Sequence, residues 1–157
     1  RDVVVAGDSA GGNLALVLCH QLKEAGRQLP GRLVLMSPWT DMTASGKSYR
    51  ERRDADPMIT MNYIQAVRAA YAPGRELSSP MLSPLFGDFD RFPPVLIQVG
   101  TNEILMSDSV RLRDRLVQAG IPCRLEVWPD MWHVFQMFPM KKASQAMDSV
   151  GRFLLET

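Results

Sequence analysis

The sequence has 157 residues, 46% hydrophobic and 22% charged, and 18 basic against 17 acidic side chains leave a net charge of +1. That length and composition suit one globular domain and exclude a disordered chain. The near-neutral balance excludes the concentrated basic face that nucleic acid or an anionic membrane surface requires. The longest apolar run, residues 14–19, is far short of the roughly 18 residues of a membrane span.

Residues 3–6 are a continuous β-branched and apolar run ended by Gly7, the pattern of a strand buried on both faces. Helical spacing follows over 10–25, where Leu14, Leu18 and Leu22 stand four apart, Ala15 and Cys19 flank them, and Gly26 can close the helix. A second strand covers 33–36 and breaks at Ser37-Pro38. The polar stretch 40–57, with charges crowded into 50–56, is expected to be a solvated loop. A helix over 60–71 ends at Pro73-Gly74, and the proline-rich segment up to Pro94 is expected to be a long ordered connection.

Residues 95–99 make a third buried strand. Ser107 is expected to cap a helix carrying Val110, Leu112, Leu116 and Val117 and stopping at Gly120. The alternating segment 124–128 is a fourth strand, nearer a sheet edge. Ala143, Ala146, Met147, Val150, Phe153 and Leu154 form the inner stripe of a last helix. Four strands separated by helices predict an α/β fold with a parallel sheet and right-handed crossovers.

Chemistry enters at Gly7-Asp8-Ser9-Ala10-Gly11, a G-x-S-x-G pattern on the turn between a strand and a helix. There a serine on a strained backbone projects its hydroxyl above the sheet, and glycines two positions either side relieve the crowding. The spacing of a dinucleotide-binding turn is absent, and Asp8 would repel phosphate. The serine needs a base, and the sequence holds two histidines, His20 and His133. His20 lies about 16 Å along the same helix from Ser9 at 1.5 Å per residue, out of reach. His133 follows the fourth strand, at the sheet end where open α/β folds gather catalytic groups, and is expected to be the general base. Glu103, just past the third strand at the carboxyl edge of the sheet, is the favoured acid; Asp108, expected in the first helical turn where an acid suits the helix dipole, and Asp41, beyond the second strand, are the alternatives. The backbone N–H of Ala10, next after the nucleophile, is the expected oxyanion donor. The aromatic and thioether side chains after Met131 are equally consistent with a substrate pocket wall and with core packing.

The segment Gly7-Asp8-Ser9-Ala10-Gly11-Gly12-Asn13-Leu14-Ala15 resembles the elbow of the hormone-sensitive-lipase-like α/β-hydrolases, the bacterial family IV esterases. Ser37-Pro38-Trp39-Thr40-Asp41, Pro94-Val95-Leu96-Ile97-Gln98-Val99-Gly100 and Trp132-His133-Val134-Phe135 are similar to that group in the same order. The resemblance implies a serine carboxylester hydrolase acting on short acyl esters, with Ser9 as nucleophile, His133 as base and no cofactor or metal. Many members carry Asp-Pro-Leu where this chain has Glu103-Ile104-Leu105, so the implied acid is Glu103. Leu105, Trp132, Val134 and Phe135 are expected to bind substrate. An amidase or peptidase on the same fold, and a catalytically impaired chain acting by association, are the competing readings.

The group's His-Gly-Gly-Gly oxyanion loop, first strands and cap helices lie upstream of its elbow, and neither histidine here precedes a glycine. The chain opens at Arg1-Asp2 one residue before a strand, without an initiator Met or signal core. Residues 1–157 are therefore expected to be the C-terminal part of an α/β-hydrolase catalytic domain. Its first strand would be an unpaired apolar edge that self-associates into a homo-oligomer or pairs with an upstream half. Cys19 and Cys123 are expected to be reduced buried thiols, as in a cytoplasmic protein.

Overall fold

A computed structural model gives the fold over residues 3–156, so the opening Arg1-Asp2 and the final Thr157 lie outside the described residues. Strands β1 (Val4–Asp8), β2 (Arg32–Met36), β3 (Val95–Gly100) and β4 (Cys123–Trp128) pair in that order, all parallel. Helices α1 (Ala10–Glu24), α2 (Ser48–Glu51), α3 (Met61–Tyr71) and α4 (Met106–Gln118) occupy the connections, and α5 (Lys141–Leu155) follows β4. The expected α/β architecture with four parallel strands is the one observed.

Alternation along the strands assigns side chains to two cores. Leu33, Leu35, Val95 and Ile97 point to one face, packing with Ala15, Leu16 and Cys19 of α1 and Leu112 and Leu116 of α4. Val34 and Leu96 point to the other, against Val150 and Phe153 of α5. Every residue of β3 is buried, as a central parallel strand covered by helices on both faces must be. β1 departs from expectation: its residues alternate between exposed and half-buried, because β2 flanks it on one side only and α1 covers one face.

The leucine spacing of α1 does not mark its buried side. Leu14 and Leu18 are exposed, while Gly12, Ala15, Leu16 and Cys19 pack inward, since small side chains let the helix approach the sheet. In α5 the stripe holds at Ala143, Ala146, Val150 and Phe153, whereas Met147 and Leu154 face outward. Ser107 lies within the first turn of α4, one position after the helix starts, and its hydroxyl accepts from the Ser48 N–H instead of capping.

The stretch 40–57 is not a solvated loop. Asp41, Met42 and Tyr49 are buried, and a second core joins Trp39, Met42, Tyr49, Ile64 of α3 and Ile104. Arg50, Glu51, Arg53 and Asp54 face outward, while Asp56 is buried and accepts the Ile104 N–H at 2.9 Å, so the inner side of the segment is packed. The connection 73–94 is ordered as expected: Leu82, Leu85, Phe89 and Phe92 are buried, with a 3₁₀ turn at Pro84–Phe86. Cys19 is a buried free thiol and Cys123 a half-buried one. Among the described residues no helix is long and apolar enough to cross a membrane.

Close approach of the start of α1 to β1 and to the turn after β2 dictates two glycines, though not both that the pattern suggested. A Cβ on Gly7 would lie 2.3 Å from the Gly11 carbonyl carbon, and one on Gly12 would lie 2.7 Å from Pro38 Cβ. A Cβ on Gly11 would meet nothing nearer than Asp8 Oδ1 at 3.8 Å, so the second glycine of the pattern is not required by local crowding. Gly12→Ala is expected to lower unfolding stability by about 1–3 kcal/mol, the usual cost of overpacking. Gly11→Ala should change it by less than about 0.5 kcal/mol, and equal urea midpoints for the two variants would contradict this account.

Candidate active site

Ser9 sits between the end of β1 and the first turn of α1, at φ 52° and ψ −118°. A non-glycine residue in that region costs about 1–3 kcal/mol and persists only where its surroundings hold it. Here the Ser9 N–H donates to Met36 O at 2.9 Å, and the Ser9 carbonyl accepts from Trp39 N–H at 3.0 Å. Both partners belong to the end of β2 and the turn after it, so the elbow is fixed by the neighbouring strand. Ala10 begins α1, where a backbone N–H has no intrahelical acceptor.

Glu103 lies just past the carboxyl end of β3 and is fully buried. Its Oε1 accepts from the Gly100 N–H at 2.6 Å and from the Ser37 hydroxyl at 2.8 Å. Its Oε2 lies 3.0 Å from His133 Nδ1, and His133 Nε2 lies 2.9 Å from Ser9 Oγ. The tautomer that serves both contacts places the proton on Nδ1, toward Glu103, and the lone pair of Nε2 toward the serine hydroxyl. Three side chains from three separate loops thus form one hydrogen-bonded line across the carboxyl edge of the sheet.

The loop bearing His133 is pressed onto β3. A Cβ on Gly100 would come 2.1 Å from Met131 O, and Asn102 N–H donates to that same oxygen at 2.9 Å. Val134, next after His133, takes φ 50° and donates its N–H to Ser37 Oγ at 3.1 Å.

The other two candidate acids lie in a separate buried cluster and touch neither His133 nor Ser9. Asp108 Oδ2 accepts from Thr40 N–H, Asp41 N–H and the Tyr49 hydroxyl. Burial, helped by the charge of Asp41, pushes the Asp108 carboxyl up to about 8. Burial also raises Asp41, but hydrogen bonds from Ser45, Thr43 and Arg111 outweigh it and hold the carboxyl below its ordinary value. His20 is buried against Phe89 and Phe92, its Nε2 3.2 Å from Pro84 O. Desolvation lowers its pKa; it is a packed and satisfied helical histidine.

An apolar cavity of about 100 Å³ opens beside the elbow, lined by Ala10, Asn13, Leu14, Trp39, Met42, Val67 and Tyr71. None of Leu105, Trp132, Val134 and Phe135 lines it. Leu105 is packed in the core with Trp39 and Ile104, and Phe135 is fully buried with Met131, Ala143 and Ala146. Trp132, half-buried, stacks edge-on against Phe138, and Val134 is buried within the loop that carries His133. The thioether and aromatic run after Met131 is thus mainly core packing beneath α5. Sequence reading gave no cavity role to Trp39 and Met42, past the end of β2, or to Val67 and Tyr71 of α3, because the two pairs lie on separate segments that only folding brings together. It also passed over Ser37, whose signal was a Ser-Pro break at the end of a buried strand. Among the described residues no three His, Cys, Asp or Glu side chains are grouped to hold a metal ion.

Comparison with known proteins agrees with this architecture. Residues 1–137 match the family described as having the alpha/beta hydrolase fold. An esterase of Acinetobacter venetianus is 36% identical over 98% of this chain and 52% of its own length. An acetyl-hydrolase of Streptomyces hygroscopicus is 34% identical over 97% of this chain and 52% of its own. A solved hormone-sensitive lipase from a metagenome library superposes with a TM-score of 0.94 at 35% identity, covering 96% of this chain and 52% of that one. The chain therefore spans about half the length of the curated relatives it matches.

The buried acid cluster makes a measurable prediction about stability. The folded chain keeps Asp108 protonated up to about pH 8, whereas its ordinary pKa is 3.8. The folded state then binds one more proton than the unfolded state across that window, so this group's contribution to stability falls as pH rises through it. Asp108→Asn should remove that decline, so that urea midpoints for wild type and variant diverge in slope between about pH 4 and pH 8. Parallel pH profiles would contradict the assignment.

Proposed function

The chain belongs to the α/β-hydrolase fold family, and from that premise we propose that it carries the nucleophile, base and acid of a serine carboxylester hydrolase for short-chain acyl esters. The observation that carries the reading is the line Ser9 Oγ to His133 Nε2 at 2.9 Å and His133 Nδ1 to Glu103 Oε2 at 3.0 Å. In this mechanism His133 takes the Ser9 proton as the oxygen attacks the ester carbonyl, then returns it to the leaving alcohol. Glu103 holds the imidazole in the required tautomer and stabilises its cation. The Ala10 N–H, reinforced by the positive end of α1, receives charge developing on the carbonyl oxygen. Water then reverses the sequence on the acyl-enzyme.

The short-acyl preference rests on the cavity beside Ala10. Its volume of about 100 Å³ is below the roughly 150 Å³ that accommodates a benzene ring in an engineered apolar cavity. Trp39, Met42 and Val67 give it an apolar lining that favours an aliphatic chain. The names of the matched relatives, esterase and acetyl-hydrolase, support the same class.

Residues 1–157 are read as the C-terminal part of the catalytic domain, with the outer edge of β1 as its pairing surface. Val3 and Val4 are exposed there, and β2 is its one partner among the described residues. Replacing Val4 with lysine should shift gel filtration of residues 1–157 toward monomer; an unchanged elution volume would argue against the edge as the contact.

The chemistry is tested by labelling with a fluorophosphonate probe. Ser9 is expected to be the labelled residue, and Ser9→Ala to abolish both labelling and hydrolysis of p-nitrophenyl esters. Glu103→Gln should lower kcat by about 10³–10⁴-fold, the cost of losing the orienting carboxylate, while Asp108→Asn at the same pH changes it little. Failure of the full-length chain to label, or anilides turned over faster than esters, would overturn the assignment.

A further inference from the structure

We infer that Ser37 is a positioning residue of this centre, tying the acid to the loop that carries the base. The inference rests on the Ser9–His133–Glu103 reading above. A hydroxyl has one proton to donate and lone pairs to accept with. Ser37 spends the proton on Glu103 Oε1 at 2.8 Å and accepts the Val134 N–H at 3.1 Å. The first partner is the buried carboxylate facing His133, and the second is the backbone of the residue directly after His133. One oxygen atom therefore links the loop after β2 to those after β3 and β4. The spacing between Glu103 Oε2 and His133 Nδ1 depends on that link.

Two further observations single out the side chain. Ser37 is fully buried and its backbone N–H donates to Gln98 O at 2.7 Å, so its place at the end of β2 is fixed from the main chain as well. Its φ is 47°, a left-handed conformation that glycine would adopt without strain and serine does not. The chain carries that strain and gains a hydroxyl aimed at the carboxylate. Strained residues held this way cluster where geometry serves function. Gly100 N–H holds the same Oε1, so loss of Ser37 leaves the carboxylate anchored at one point and free to swing about it, while Val134 loses its acceptor.

The design of the test follows from the backbone. Ser37→Gly removes the hydroxyl and relieves φ together, and Ser37→Ala removes the hydroxyl while keeping the Cβ. Both variants of the full-length chain should lower kcat for p-nitrophenyl acetate by about tenfold or more, the scale of a lost supporting contact, with KM within about twofold. The far-downfield proton resonance of His133 Nδ1–H should move upfield and exchange faster with water. In a Glu103→Gln background Ser37→Gly should cost far less than in wild type, because residues acting as one unit are not additive. Wild-type kcat and an unmoved resonance in both variants, or a loss carried by KM alone, would overturn the inference. Failure of Ser9 labelling in wild type would instead sink the proposed function, and the resonance would then decide the role of Ser37 without turnover.

Discussion

The proposed function depends on a single imidazole being held between two oxygen atoms that belong to different loops. His133 reaches Ser9 on one side and Glu103 on the other, and the three residues come from the ends of β1, β3 and β4. Parallel pairing is what makes this possible. It brings every strand's carboxyl end to one edge, so that residues more than a hundred positions apart meet without any local chain signal. The two central strands supply rigidity: β3 is buried throughout and the end of β2 anchors the elbow backbone.

The strand–helix alternation and the elbow were legible because each is local. A β-branched run, a G-x-S-x-G turn and a helix are written in consecutive residues, and the order serine, acid, histidine follows from strand order. The choice among Glu103, Asp108 and Asp41 was not legible from residue type, since all three follow strands and all three are fully buried. Only the pairing partners separate them: one faces the imidazole, and two share a cluster with Tyr49 and Arg111. Its place just past the third strand and the similarity to a known group both favoured Glu103, and the distances bear on the same residue.

Other features were hidden for reasons that can be named. The segment 40–57 looked solvated because its charges are concentrated at 50–56, and composition cannot reveal that Tyr49 is turned inward beneath them. In α1 the eye follows large leucines, but a helix that must lie close to a sheet buries its small residues, and Leu14 remains exposed, one wall of the cavity beside Ala10. The aromatic run after Met131 allowed a pocket or a core; packing against α5 settles Phe135 in the core. Gly11 belongs to the sequence pattern, yet Gly12 is the residue pressed against Pro38.

Ser9, Ser37 and Val134 all hold left-handed backbone conformations on the same edge of the sheet. Each stores energy that the surrounding strands restrain, and none of that energy helps the sheet itself hold together. Gentle heating would thus let these three turns relax toward ordinary torsions while the parallel ladder below stayed intact. Under the proposed reading, the catalytic geometry is then the part of the molecule whose alignment is lost first, because its turns and not its layered body carry the strain.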